Sequence, residues 1–148
     1  MSSFQTVRGF FESQIRQDLL TAGISADAIF FDNVGETPKP SDQSYAVVSM
    51  GFVQTVQDVL PGDGGLETLQ GTLNVVVYTP KNRGSKAGED IVCQVMKGFQ
   101  IINRSIQQSG DPVMSANVRD IQGPITIEAS EKPHHLNTCS GVFMARVP

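Results

Sequence analysis

The residue types best suited to chemistry are His134 and His135, followed by Cys139. Alternate residues of a strand share one face, so His135 and Cys139 could turn toward a common metal ion. A closed site needs a second pair of ligands, and none stands at matching spacing. Pro133-His134 reads instead as a loop entering a strand, and no metal is expected. Gly84-Ser85-Lys86, at the start of a helical pattern, has the residues of a phosphate cradle without the Walker order of Gly, four residues, Gly-Lys-Ser/Thr. Lys81, Arg83 and Lys86 could grip a partner's carboxylates, aided by helix-terminal amides, or form a solvated basic loop. Asp58, Asp63 and Glu67 lack the loop spacing of a calcium site. The two histidines are adjacent and no Gly-x-Ser-x-Gly elbow occurs, so no nucleophile, base and orienting acid form a set. Neither an enzyme nor a cofactor is expected.

The elements that must position these residues centre on Thr72 to Gln108. Leu73-Asn74-Val75-Val76-Val77-Tyr78 is rich in β-branched residues and stops at Pro80, which reads as a strand. After the basic loop, Ile91, Val95, Phe99, Ile102 and Ile106 recur in steps of four, four, three and four, the stripe of one long helix. An earlier helix runs from a cap at Ser2 or Ser3 to Ala22, with Gly23 at its C-terminus and Phe4, Val7, Phe11, Ile15 and Leu19 as its buried stripe. Phe10 and Ile101 fall off their stripes, either as lone exposed residues or as parts of a contact between subunits.

Ala28 to Asp32 is a short strand, and Asn33 to Ser44 a loop. From Tyr45, the residues Ala46, Val48, Met50 and Phe52 give one apolar face. The strand continues through Gln54-Thr55-Val56-Gln57-Asp58, polar enough to project beyond the core, and turns at Leu60 to Gly65. A long protruding β-hairpin is therefore expected. Two or three strands close the chain: Val113 to Ile121, Ile125 to Ala129, and Leu136 to Val147. The last is apolar on both faces at Gly141 to Ala145, as in a strand that is central or covered by another subunit. The fold class is α+β: a mixed, mostly antiparallel sheet of about five strands with two helices on one face.

A chain of 148 residues suits one domain with one core. Hydrophobic residues at 39% and charged ones at 18% give a globular composition. Two cysteines are too few for a disulfide framework, and the N-terminus has no signal-peptide pattern, which fits a reducing compartment. No apolar run reaches the roughly 20 residues that span a bilayer. A net charge of −4 argues against nucleic acid as the main partner. Charge is uneven: residues 1–74 hold three Lys/Arg against nine Asp/Glu, and residues 75–148 hold eight against six. Copies of the chain could meet head to tail, acidic face on basic face.

Several stretches in order then carry a family likeness. They are Ser3-Phe4-Gln5-Thr6-Val7-Arg8 entering a helix, Phe31-Asp32-Asn33-Val34 with the Thr37-Pro38-Lys39-Pro40 loop, the strand Tyr45 to Met50, and Gly71-Thr72-Leu73-Asn74-Val75-Val76-Val77-Tyr78-Thr79-Pro80 before the helix from Ala87. In these the chain resembles the tail terminator, or tail completion, proteins of long-tailed bacteriophages; its closing strand is less aromatic than is usual there. The resemblance implies a six-membered ring that caps the finished tail tube, stops addition of tube protein, and presents its other surface to the head-completion (stopper) protein. It places the chain in the virion neck, and in the host cytoplasm during assembly. Gln54, Gln57, Asp58, Asp63 and Glu67 in the hairpin, and Lys81, Arg83 and Lys86 in the basic loop, are the expected interface residues. Another neck component (stopper or adaptor), a tail tube protein, or a small-molecule-binding or catalytic α+β domain are the alternatives.

Overall fold

A computed structural model describes residues 3–31, 43–58, 66–80, 85–104, 113, 115–127 and 134–147. Helix α1 spans Ser3–Thr21 and ends where Gly23 takes φ 101°, a conformation open to glycine without a Cβ penalty. The Gly23 N–H donates to the Leu20 carbonyl and the Ile24 N–H to that of Leu19, a Schellman closure that buries Ile24 against the helix end. A 3-10 turn at Ala26–Ala28 leads to β1, Ile29–Phe31. Then come β2 (Tyr45–Asp58), β3 (Leu66–Pro80), α2 (Ser85–Arg104), β4 (Ser115–Ile127) and β5 (His134–Val147).

The five strands form one sheet in the order β1-β2-β3-β5-β4; β1 runs parallel to β2 and every other pair is antiparallel. The α+β class, the mixed sheet and the two helices against one face agree with the pattern of the sequence. The inner face takes Ala46, Val48 and Met50 from β2, Leu69, Leu73, Val75 and Val77 from β3, and Cys139, Phe143 and Ala145 from β5. On it lie the α1 stripe Val7, Phe11, Ile15 and Leu19, and the α2 stripe Ile91, Val95, Phe99 and Ile102. Helix α2 covers the β4–β5 side, and α1 packs beside it. Phe143 joins the layers, with its ring centroid 5.0 Å from that of Phe11 and 5.5 Å from that of Phe52.

Three expectations change. Phe4, placed by spacing in the buried stripe of α1, is 45% exposed, because it lies in the first turn and meets only the edge of Phe52. Phe10 is half-buried against the edge of Phe11 instead of standing clear of the core. The long hairpin exists, pairing from Tyr45 with Tyr78 to Asp58 with Leu66, but its described arms do not project. Strand β5 accompanies β3 as far as Glu67 with Val147, and Leu69 and Val147 are buried there. Among the described residues β1 pairs with β2 only at Ala46, Val47 and Val48, so the polar run Gln54 to Asp58 has β3 as its one described neighbour. The turn, residues 59–65, lies outside the described residues.

The last two segments before β5 form one strand, β4, with register irregularities between Arg119 and Gln122 and between Gln122 and Ile125. Its outer edge is clipped by α2. The Asn103 side-chain amide donates to the Val118 carbonyl at 2.7 Å, and the Val118 N–H donates to Asn103 Oδ1 at 2.6 Å. One carboxamide thus stands in for a neighbouring strand. Replacing it, Asn103→Ala, is expected to cost about 1–3 kcal/mol as both bonds are lost, read as a lower urea midpoint. An unchanged midpoint would show that the clip contributes nothing.

Candidate functional site

The structure separates the interface residues expected from sequence into distinct surfaces. Glu67 lies near the start of β3, opposite Gln57, with Asp58 one residue further along β2. Gln54 is exposed on β2 just past a register shift between Phe52 and Gln54 that leaves Val53 74% exposed. Lys86, also exposed, sits in the first turn of α2, beyond the far end of β3. The fourteen residues from Glu67 to Pro80 span roughly 40 Å of strand, so the acidic and basic candidates occupy opposite ends of the sheet. Asp63, Lys81 and Arg83 lie outside the described residues.

A second polarity runs across the strands, and sequence reasoning saw it only as a difference between halves of the chain. Among the described residues, α1 through β3 carry Arg8 and Arg16 against Glu12, Asp18, Asp27, Asp58 and Glu67. Elements α2, β4 and β5 carry Lys86, Lys97, Arg104, Arg119 and Arg146 against Glu89, Asp90 and Asp120. Strand order converts this into space, because β1, β2 and β3 occupy one side of the sheet and β5 and β4 the other.

Exposed apolar side chains follow the same division. Phe4 and Val53 lie on the β2 side, Ile101 (55% exposed) on α2 and Ile125 (46% exposed) on β4. Ile101 shares a helix face with Lys97 and Arg104, at four and three residues' separation. Ile101 thus stands beside basic charge, whereas on the β2 side Arg8 lies 5.5 Å over the Phe52 ring, beside Phe4, and pairs with Glu12 at 3.5 Å.

The face of the sheet opposite the helices is half-apolar. Tyr45 and Tyr78 stack there with centroids 4.4 Å apart and planes 8° from parallel, beside Val47 and Val76. Desolvation, with Tyr78 adding to it, pushes the Tyr45 hydroxyl above its ordinary pKa. Strand β5 is central between β3 and β4, and its second face carries Val142 and Met144, both half-buried.

His135 and Cys139 both lie on β5. Burial, with Cys93 nearby, pushes the Cys139 thiol up to about 12, so it stays protonated at neutral pH. Among the described residues no three His, Cys, Asp or Glu side chains come together to hold a metal. A cleft of about 630 Å³ lies between the end of α1, the start of β2 and the first turns of α2. Ser25, Gln43, Ser44, Asp90 and Gln94 give it a polar lining over Ile24 and Ile91, with Asp90 as the ionisable group. That arrangement can hold a small polar molecule.

One titratable group escaped sequence reasoning. Asp18 on α1 is only 7% exposed, and its Oδ2 lies against Gly98 of α2 with no hydrogen-bond partner. Gln14 Nε2 donates to Oδ1 at 3.2 Å. Desolvation raises its pKa to about 6, with the Gln14 bond opposing. The signal was its place beside Leu19, at the margin of the apolar stripe.

No family model matches this chain, and no curated protein matches it. The fold recurs among solved structures. One of the 21 chains that match is 20% identical, with a TM-score of 0.65 over 98% of this chain and 96% of its own. Its name states no activity, and at this identity the likeness is one of fold alone. No described helix is long and apolar enough to cross a membrane.

Proposed function

We propose that this chain is a structural subunit of a phage tail terminator: a ring of copies that caps the tail tube, ends its polymerisation and offers its other surface to the stopper protein. The observation that supports the reading is the unlike charge content of the two sides of the sheet, more acidic from α1 through β3 and more basic from α2 through β5, each side with exposed apolar side chains. Unlike flanks suit heterologous contacts, and heterologous contacts that close make rings. The sequence likeness to terminators supplies the tail tube and stopper as partners. The chain acts by binding and steric blockage, without covalent chemistry. The test is to sediment the purified protein alone and with tail tubes of the cognate phage, then image the mixture. Rings of six at tube ends are expected; a protein that ignores the tubes overturns the reading.

Two alternatives give different results in the same experiment. A tube protein would stack into filaments without limit, and a stopper or adaptor would bind the head-facing side of an already capped tail. The cleft beside Asp90 favours a further reading, a small-molecule-binding domain. Under that reading Asp90→Ala removes ligand binding and leaves tube capping irrelevant.

A further inference from the structure

We infer that the seam between α1 and α2 is a proton-operated joint: with Asp18 protonated α1 lies closed on α2, and with Asp18 ionised α1 opens more often, as a unit, while the sheet stays folded. The inference goes beyond the terminator reading and does not depend on it. Gln14 donates to Oδ1 of Asp18, and Oδ2 is buried without a partner against Gly98 of α2. Only glycine lets the carboxyl come this close, since a Cβ on residue 98 would collide with Oδ2. A neutral carboxylic acid fits such a place, whereas an unpaired carboxylate oxygen there is costly. Water relieves that cost only by reaching Oδ2, and it reaches Oδ2 when the two helices part.

The surroundings of the contact are uncharged. On α1 the neighbours of Asp18 at three and four residues are Gln14, Ile15, Thr21 and Ala22, and on α2 those of Gly98 are Gln94, Val95, Ile101 and Ile102. Arg16 and Lys97, each close in sequence to one side of the contact, are exposed. Arg8, ten residues and about 15 Å along α1, pairs with Glu12 and donates to the Met50 carbonyl. On the strands packed against α1, Cys139 lies mid-sheet and stays protonated, and Glu67 and His135 stand at opposite ends. Burial therefore holds the Asp18 carboxyl up to about 6, against the Gln14 bond. The opening is local because α1 adds no strand: the five-stranded ladder pairs without it, α2 covers the β4–β5 side, and α1 packs more on α2 than on any strand. Burial of the stripe Val7, Phe11, Ile15 and Leu19 keeps the open form a minor one.

Native-state hydrogen exchange in low urea, at about pH 5 and about pH 7.5 and corrected for the intrinsic rate, tests this on the wild type and Asp18→Asn. Circular dichroism checks that both are folded. In the wild type the α1 amides should exchange through an opening more frequent than that of β3 and β5, and less sensitive to urea because it exposes less surface. With a folded value of about 6 against the ordinary 3.8, that opening should become about tenfold more frequent between about pH 5 and about pH 7.5. Asp18→Asn, which cannot ionise, should keep the separate opening of α1 and lose the tenfold rise. Amides of α1 that share the rates and urea dependence of β3 and β5 would overturn the joint, because Asp18 would then act on global unfolding alone. A rise of equal size in both proteins would overturn it too, since another group would be its source.

Discussion

Gly71→Ala is expected to destabilise the protein by about 3 kcal/mol or more, lowering its melting temperature by on the order of 10 °C. Gly71 faces inward on β3, between Phe52 of β2 and Phe143 of β5. A Cβ there would collide with the Gly51 carbonyl oxygen and approach Cε1 and Cζ of Phe143 to 2.7 Å. The oxygen belongs to the backbone of a paired strand and cannot rotate away. The ring cannot retreat either, since Phe11 and Phe52 press on it. Either β2 moves relative to β3 or the aromatic cluster opens, and both sacrifice buried contacts. Gly51→Ala is the control: its Cβ would meet only Thr72 Oγ1, at an ordinary 3.6 Å, and its effect should stay within about 1 kcal/mol. Equal melting temperatures for the two variants would contradict this packing.

The second large effect concerns Asp18 and has a definite sign. Its folded pKa of about 6 lies above its ordinary 3.8, so between those values the folded protein keeps a proton that the unfolded chain has released. Asp18 therefore stabilises the fold fully below about pH 4, and that contribution is lost as pH rises through about 6. The loss is up to about 3 kcal/mol, from roughly two pKa units at 1.36 kcal/mol each. Other carboxylates change with pH too, so the useful quantity is the difference between the wild type and Asp18→Asn. The asparagine can still accept from Gln14 and carries no charge against Gly98. It should gain on the wild type by about 1–2 kcal/mol between pH 4.5 and 7.5, measured as urea midpoints at each pH. A constant difference across that range would mean that Asp18 ionises as freely folded as unfolded.

How far the sequence could be read depends on which force set each element. The α2 stripe and the alternation of Ala46, Val48 and Met50 were legible because one buried face imposes a period, and burial follows it at Ile91, Val95, Phe99 and Ile102, Ile106 lying outside the described residues. Gly23 was legible because a Schellman closure calls for a left-handed residue at that place. The fate of Gln54 to Asp58 was not. A polar run fits either an arm beyond the core or the margin of a sheet, and the pairing of β3 with β5, from Glu67 with Val147 to Pro80 with His134, far apart in the chain, carries the sheet out alongside it. Gly71 looked like any strand glycine until Phe143 arrived from β5 to lie over it.

The candidate site divides in the same way. The imbalance of charge between chain halves was plain, yet its meaning depended on strand order, which places the first half of the chain on one flank. Ile101 was visible as an apolar residue off its stripe, and it is exposed beside Arg104. Arg104 and Arg119 drew no notice, because what brings them to one edge is the Asn103 side chain, and a single asparagine in a helix announces nothing. Lys86 and Glu67 were expected together as interface residues from their local loops, without any sign that a whole strand separates them.

The central claim, that this chain ends tail-tube growth by ring formation, is tested most directly by tube length. Tail tube protein is polymerised with increasing amounts of the purified chain, and the tubes are measured by electron microscopy. The account expects mean length to fall as the chain is added, with a six-fold ring at the ends and no further growth when fresh tube protein is supplied. Tubes of unchanged length that resume growth, with the chain left in solution, would contradict it.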